Sequence, residues 1–265
     1  MNQQTREWNG IAVSVIGMDH VRHERPLQDA SAVITAHRSA AVVCDGAGSA
    51  LMSHVGAQKA VEQFRIAVAA VEPMIADALD DERTPWGFAD DLWHYISGWV
   101  CRAVVASREE CARTGTGVPD DYAFTFAAAV TGKLRTGFIQ VGDGAIMTKI
   151  KDDGTHLVFK PEKGYFANMT KFLDDKCVEN DSYLSRTLPT ERIEGLMLMS
   201  DGPEVRMIDL ATLRPAQVVS DMMADMVSGE LDRETLLNYL TDSRWTNNPS
   251  GYDDKSIVVL VPKNK

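Results

Sequence analysis

Three apolar, strand-like segments of the sequence each run directly into an aspartate that is followed by glycine. They are AAVVCDG, which reaches Asp45, FIQVGDG, which reaches Asp143, and LMLMSDG, which reaches Asp201. Asp29 stands just before another apolar stretch, and the acidic pair at 253–254 precedes the strand-like SIVVLV. Carboxylate oxygens are preferred ligands of hard divalent cations. The pattern therefore predicts a metal-assisted hydrolase.

The direction of the strands decides whether these carboxylates can meet. Three of the aspartates follow their strands, whereas Asp29 and the pair at 253–254 precede theirs. In an antiparallel sheet a strand begins at the edge where its neighbour ends, so both placements bring the carboxylates to one edge. A single Asp-Gly after a strand is usually only a turn. Five acidic positions at strand edges instead favour a shared metal site.

Composition and charge narrow the class of protein. The chain has 265 residues, of which 45% are hydrophobic, and this suffices for one packed domain that we predict to span 1–265. No segment approaches the roughly 20 apolar residues of a membrane span, and MNQQTREWNG lacks the pattern of a signal peptide. We therefore expect a cytoplasmic protein that does not bind membranes. The net charge of -11 and the scattered basic residues argue against nucleic-acid binding.

Hydrophobic periodicity predicts the elements that must position the aspartates. Strands are predicted at 13–17, 32–36, 40–44, 123–130, 136–141, 197–200 and from 256, a hairpin at 149–159, and helical stretches at 55–71, 90–113 and 215–240. Residues from about 160 to 192 show no clear period and are predicted to be irregular. This order favours an α+β fold with helices packed outside a largely antiparallel core.

The motifs follow one another in the order QDA, DGAGS, a long helix, TFAAAV, VGDG, LMSDG and DDKSIVV. This order resembles the metal-dependent protein phosphatases of type 2C, in particular their bacterial branch, from about Gly10 to Val261. FANMTKFL is also similar to a stretch of that branch. The resemblance implies a four-layer α-β-β-α sandwich with two central antiparallel β-sheets and a binuclear metal centre at one edge. The irregular segment at about 160–192 would take the place of a variable flap beside the active site.

The resemblance also implies a role for each core acidic residue. Asp45 would bridge two manganese(II) or magnesium(II) ions, and the carbonyl of Gly46 would ligate one of them. Asp201 and Asp253 would complete the shell of the other ion, while Asp29 would act through water. Asp45, Asp201 and Asp253 are thus the predicted catalytic carboxylates, because in this family the metals activate a bridging water that attacks phosphorus without a phosphoenzyme.

Two further features follow from the same resemblance. Asp143 and Asp201 would hold a third, weaker ion. Eukaryotic members often carry a proton-donating histidine two residues after the bridging aspartate, where this chain has Ala47. His20, at a place where the bacterial branch typically has histidine, is then the candidate catalytic acid. The alternative is that His20 only holds the loop ahead of Asp29 by hydrogen bonds.

These features predict a monomeric, metal-dependent protein serine/threonine phosphatase. Its expected partners are phosphorylated proteins and a cognate serine/threonine kinase or the targets of that kinase. One alternative is a catalytically weak family member that binds phosphoproteins or a kinase as a regulatory module, and another is a phosphatase for a small phosphorylated metabolite. The presence of Asp29, Asp45, Asp201 and Asp253 favours an enzyme, because degenerate relatives usually lose one or more ligands.

Overall fold

The computed structural model describes residues 6–35, 37–160, 170–209, 211–242, 245 and 252–263. The strands found in these residues are β1 (Trp8–Val15), β2 (Ala30–Thr35), β3 (Ser39–Cys44), β4 (Phe126–Thr131), β5 (Arg135–Val141), β6 (Ala145–Ile150), β7 (Gly154–Leu157), β8 (Leu184–Pro189), β9 (Ile193–Met199), β10 (Ile208–Asp209), β11 (Arg214–Pro215) and β12 (Lys255–Pro262). The α-helices are α1 (Met18–Arg22), α2 (Ser53–Ala70), α3 (Glu72–Leu79), α4 (Trp86–Thr114), α5 (Asp175–Glu179), α6 (Glu204–Met207), α7 (Gln217–Ser228) and α8 (Arg233–Thr241).

Two five-stranded antiparallel sheets form the centre of the molecule. The first sheet has the order β1-β12-β9-β6-β7 and the second has the order β2-β3-β4-β5-β8, while β10 and β11 pair separately. The long apolar runs of the sequence belong to strands that are buried on both faces. In β12, Ile257 and Val259 pack with the helices of the first sheet, whereas Val258 and Leu260 face the second sheet.

Helices cover the outer face of each sheet. On the second sheet, α2 and α4 contribute buried side chains that recur every three or four residues, among them Ala57, Ala60, Phe64, Val100 and Val104. On the first sheet, α7 and α8 contribute Val219, Met223, Leu236 and Leu240. The resulting order of helices, sheet, sheet and helices confirms the predicted four-layer sandwich. Within the described part of the chain, no helix is long and apolar enough to cross a membrane.

Several predicted bounds were wrong, each for a local reason. The first strand starts at Trp8 and ends before Gly17, and the short helix α1 follows it. No helix is predicted directly after residue 71, because proline usually ends a helix; α3 nevertheless begins at Glu72, since proline is well tolerated in the first turn of a helix. The predicted helical stretch at 215–240 is two helices, since Gly229 ends α7 in the left-handed conformation with φ +85°.

The segment at about 160–192 is more regular than predicted. It contains α5 and the strand β8, which pairs with β5 from Arg135 opposite Pro189 to Gln140 opposite Leu184. The sequence LSRTLP has too few apolar residues to stand out as a strand. Residues 161–169, which include the first part of FANMTKFL, lie outside the described residues, so the predicted flap there stays a prediction.

Candidate metal centre

In the second sheet, antiparallel pairing places two of the acidic residues side by side. β2 begins at Ala30, which lies opposite Cys44 at the end of β3. Asp29 precedes the one strand and Asp45 follows the other, so both reach the same edge. Asp45 is held there by its backbone N–H, which donates to the hydroxyl of Thr125 at 3.2 Å.

The first sheet brings its acidic residues to the same end of the sandwich. Met199 at the end of β9 lies opposite Ile257 near the start of β12. Asp201 therefore leaves the sheet where Asp253 enters it. In both sheets the strand directions thus agree with the antiparallel arrangement predicted from the sequence.

A small open cavity lies where these ends of the two sheets meet. It is lined by thirteen residues, which are His20, Gln28, Asp45, Gly46, Ala47, Gly48, Thr125, Asp143, Thr170, Phe172, Asp201, Asp253 and Asp254. All the predicted site residues except Asp29 are among them. Asp29 does not line the cavity; it is 3% exposed and interacts electrostatically with Asp45 and Asp201.

Asp29 is a buried carboxylate whose hydrogen bonding is incomplete. Its Oδ2 accepts a hydrogen bond of 2.7 Å from the hydroxyl of Ser200, whereas its Oδ1 is buried without a hydrogen-bond partner in the described structure. Burial raises the pKa of Asp29 to about 7; hydrogen bonds from Ser200 and Ser256 oppose this increase, and the charge of Asp254 adds to it. A free carboxylate oxygen in such a place is suited to an additional polar partner.

Asp45 and Asp201 are close enough to share a side-chain hydrogen bond. Burial raises the pKa of Asp45 well above its usual range, and the charges of Asp29 and Asp201 raise it further. Burial and the neighbouring Asp253 and Asp143 raise the pKa of Asp201 to about 6. Carboxylates crowded in this way repel one another when ionised, and a bound cation would relieve that repulsion.

The chemistry of these donors fits a hard divalent ion. In the described residues, no three Asp, Glu, His or Cys side chains are already gathered into a metal cluster. The cavity nevertheless offers carboxylate and carbonyl oxygens from Asp45, Gly46, Asp201 and Asp253, and manganese and magnesium prefer oxygen ligands. Together with the unpaired oxygen of Asp29, this donor set suits such ions.

The structure also identifies residues beside the cavity that the sequence interpretation missed. Asp254 is 3% exposed, whereas its neighbour Asp253 is exposed, a distinction that an acidic pair does not reveal by itself. Burial raises the pKa of Glu204, and the charges of Asp201 and Asp143 raise it further, which places this carboxyl near both. Thr170 donates a short hydrogen bond to Asp143. Of these residues, only Glu204 could have been suspected from the sequence, because it lies three residues after Asp201.

These pKa shifts predict how stability changes with pH in the metal-free protein. A carboxyl whose pKa is raised on folding stabilises the folded state. This contribution is complete at pH values below about 4, the pKa of the group in the unfolded chain. That contribution is lost as the pH rises through the folded pKa, which is about 6 for Asp201 and about 7 for Asp29. We expect the Tm in chelator to fall by on the order of 5 °C between pH 5 and pH 7.5.

Thermal unfolding with chelator and with manganese checks this prediction. Manganese should raise the Tm more at pH 7.5 than at pH 5, because metals compete with protons for carboxylates. Asp29→Asn, which cannot ionise, should flatten the pH dependence of the metal-free protein. If the Tm of the metal-free protein instead rises between pH 5 and pH 7.5, the raised pKa values of Asp29 and Asp201 are contradicted.

Comparison with known proteins supports the same interpretation. The family model of protein phosphatase 2C matches residues 16–241, whereas no curated protein matches the chain. Serine-threonine phosphatase 2C from Toxoplasma gondii has a similar structure, with a TM-score of 0.67, 15% identity, and coverage of 98% of this chain and 96% of that chain.

Two further solved structures share the fold. Serine/threonine phosphatase Stp1 from Staphylococcus aureus has a TM-score of 0.55 and 13% identity, covering 98% of this chain and 97% of its own. The catalytic domain of the serine threonine protein phosphatase PstP, in complex with two manganese ions, has a TM-score of 0.55 and 14% identity, covering 97% and 99%. The family match, which extends over most of the sequence, confirms the resemblance seen in the motifs: the chain belongs to the protein phosphatase 2C family of metal-dependent protein serine/threonine phosphatases.

Proposed function

We propose that this protein hydrolyses phosphoserine and phosphothreonine in proteins with two manganese or magnesium ions bound at the cavity. The observation that supports this most strongly is the convergence of acidic residues from both sheets. Asp45 follows a strand of the second sheet, Asp143 lies in the turn from β5 to β6 that joins the two sheets, and Asp201 and Asp253 flank strands of the first sheet. A phosphate monoester carries negative charge, so cations held at this edge would attract it.

Four residues would hold the two core ions. In this proposal Asp45 would contact both ions, the Gly46 carbonyl would contact one of them, and Asp201 and Asp253 would contact the other. When bound, such ions activate water for attack on phosphorus and neutralise charge on the phosphoryl oxygens. Asp29, which is buried, would support the site through water.

The protein must also supply a proton to the leaving serine or threonine oxygen. Ala47 has no titratable group, and His20 is the one imidazole among the described residues that line the cavity. The hydroxyls of Thr125 and Thr170 are too weakly acidic for this role. We assign His20 as the proton donor.

A third, weaker ion would bind at the outer side of the same cavity. Asp143 is exposed there, and Asp201 and Glu204 are its acidic neighbours. The hydroxyl of Thr170 already donates to Asp143, so this ion would have to compete with that hydrogen bond. Competition of this kind is consistent with weaker binding.

The proposed substrates are proteins phosphorylated by a cognate serine/threonine kinase. The cavity is open, and the exposed carboxylates Asp143 and Asp253 stand at its rim, where a phosphorylated side chain on a protein surface can reach them. We also propose that the protein acts as a monomer in the cytoplasm.

Metal-dependent turnover tests the proposed function. We expect the protein with manganese to hydrolyse p-nitrophenyl phosphate and a phosphothreonine peptide, and a chelator to remove both activities. Titration calorimetry with manganese serves as the control for binding. Binding of manganese without turnover would favour the regulatory module, whereas turnover of small phosphate esters with no activity on any phosphopeptide would favour the metabolite phosphatase.

A further inference from the structure

The buried carboxylate of Asp254 connects three segments beside the cavity. Its Oδ1 accepts a hydrogen bond of 2.6 Å from the backbone N–H of Gly17, and its Oδ2 accepts one of 2.6 Å from that of Gln28. The Nδ1 atom of His20 lies 2.9 Å from the same Oδ2. One carboxylate therefore contacts the start of α1, the imidazole that α1 carries, and the residue before Asp29.

Other contacts fix α1 against the segment that contains Asp254. The backbone N–H of Asp19 donates to the carbonyl of Tyr252 at 3.0 Å, and the guanidinium of Arg22 lies 4.9 Å from the centre of the Tyr252 ring. A Cβ atom at Gly17 would lie 2.2 Å from the Tyr252 carbonyl oxygen, so only glycine permits this approach. The backbone that carries His20 thus has little freedom relative to Asp254.

The approach of His20 to Asp254 determines where the imidazole carries its proton. Nδ1 and Oδ2 are 2.9 Å apart, although the contact does not meet the geometry of a well-formed hydrogen bond. Two bare acceptor atoms at this separation would repel each other, so the contact favours the tautomer that carries a proton on Nδ1. Because His20 is 5% exposed and lines the cavity, Nε2 is the ring nitrogen left for a substrate.

We infer that Asp254 is a positioning residue, which keeps Nδ1 of His20 protonated and presents Nε2 to the leaving oxygen of the substrate. This inference rests on the proposed function. As a water oxygen bonds to phosphorus, the bond from phosphorus to the serine or threonine oxygen breaks. That oxygen takes the Nε2 proton of the doubly protonated imidazolium and becomes an alcohol, which leaves His20 neutral with its proton on Nδ1, and the proton lost by the attacking water restores the imidazolium. Asp254 stays in contact with Nδ1–H throughout this step.

A comparison of leaving groups tests this inference. The alkoxide of threonine needs a proton to leave, whereas p-nitrophenolate is a weak base and leaves without one. In His20→Gln, kcat on a phosphothreonine peptide should fall by roughly 10²-fold. The fall on p-nitrophenyl phosphate should be much smaller. Asp254→Asn should shift the ratio of the two activities in the same direction by on the order of 10-fold, and the double variant should match His20→Gln.

Asp19→Asn is the matched control, because Asp19 is in the same helix and its side chain faces the exposed His23. It should leave the ratio of peptide to aryl phosphate activity unchanged. If His20→Gln or Asp254→Asn slows both substrates equally, these residues act only through the fold and the inference is overturned.

The tautomer of His20 provides a readout that does not depend on activity. Nitrogen-15 NMR of the metal-free protein should show the proton of neutral His20 on Nδ1, and Asp254→Asn should shift it toward Nε2. A wild-type His20 protonated on Nε2 would overturn the inference. If Asp254→Asn fails to fold, the inference is tested by the tautomer of wild-type His20 and by the ratio of peptide to aryl phosphate activity in His20→Gln. A wild-type protein without metal-dependent turnover would contradict the proposed function, and the tautomer would still test Asp254.

Discussion

Asp45→Asn is expected to lower kcat on p-nitrophenyl phosphate by more than about 10³-fold. This decrease is at or above the one that other enzymes show when they lose one group that stabilises the transition state electrostatically. Asp45 is the one residue proposed to contact both core ions. Asparagine keeps its shape but offers a single neutral oxygen, so at least one ion should be lost. Kinetics at saturating manganese, with calorimetry to count bound ions, check the result.

Asp143→Asn is the matched comparison, since it removes a carboxylate from the same cavity. Asp143 is exposed at the rim and is proposed to hold only the weaker ion. This variant should still bind both core ions while turnover slows. Unchanged binding of both core ions by Asp45→Asn, or loss of a core ion in Asp143→Asn, would contradict the division of roles.

Gly202→Ala is expected to damage both stability and activity through one close contact. A Cβ atom at Gly202 would lie 1.9 Å from the carbonyl oxygen of Asp254 and 3.2 Å from Cγ of Lys255. The ends of β9 and β12 would have to separate, which would move Asp201 away from Asp253. We expect the Tm to fall by about 5 °C or more, since overpacking costs roughly 1 to 3 kcal/mol, and manganese-dependent turnover to be largely lost.

Gly87→Ala is the control for this substitution. Gly87 lies in α4, and a Cβ atom there would meet nothing within 4 Å. Its Tm should stay the same or rise slightly, because alanine favours helix. Differential scanning calorimetry and kcat measured on both variants test the prediction. A Gly202→Ala protein with wild-type Tm and kcat would show that the strand ends separate without cost.

The strands and their acidic ends were predictable because each strand is a long apolar run with an abrupt polar end. Sequence direction and antiparallel pairing were then enough to place Asp45 and Asp201 at one edge. The helix α3 and the strand β8 were not predictable in this way. The helix α3 has a proline in its first turn, and proline usually marks the end of a helix. The strand β8 is stabilised by pairing with β5 rather than by its own apolar residues.

The residues of the candidate site were likewise predictable only in part. The acidic motifs indicated which residues meet, but they did not indicate the difference between Asp253 and Asp254, because burial depends on how α1 packs against residues 252–254. Glu204 and Thr170 were missed for the same reason. Their closeness to Asp143 follows from the ends of distant segments that meet only in the folded chain.

The position of β12 has a consequence for protein synthesis. β12 lies between β1 and β9, and in the described structure β1 has no other strand partner. While a ribosome is still making the preceding residues, β1 has nothing to pair with and Asp253 is missing from the cavity. Strand pairs this distant in sequence also form slowly. A nascent chain would thus become active only after β12 is made and inserted, so chains that still lack β12 could not dephosphorylate proteins near the ribosome.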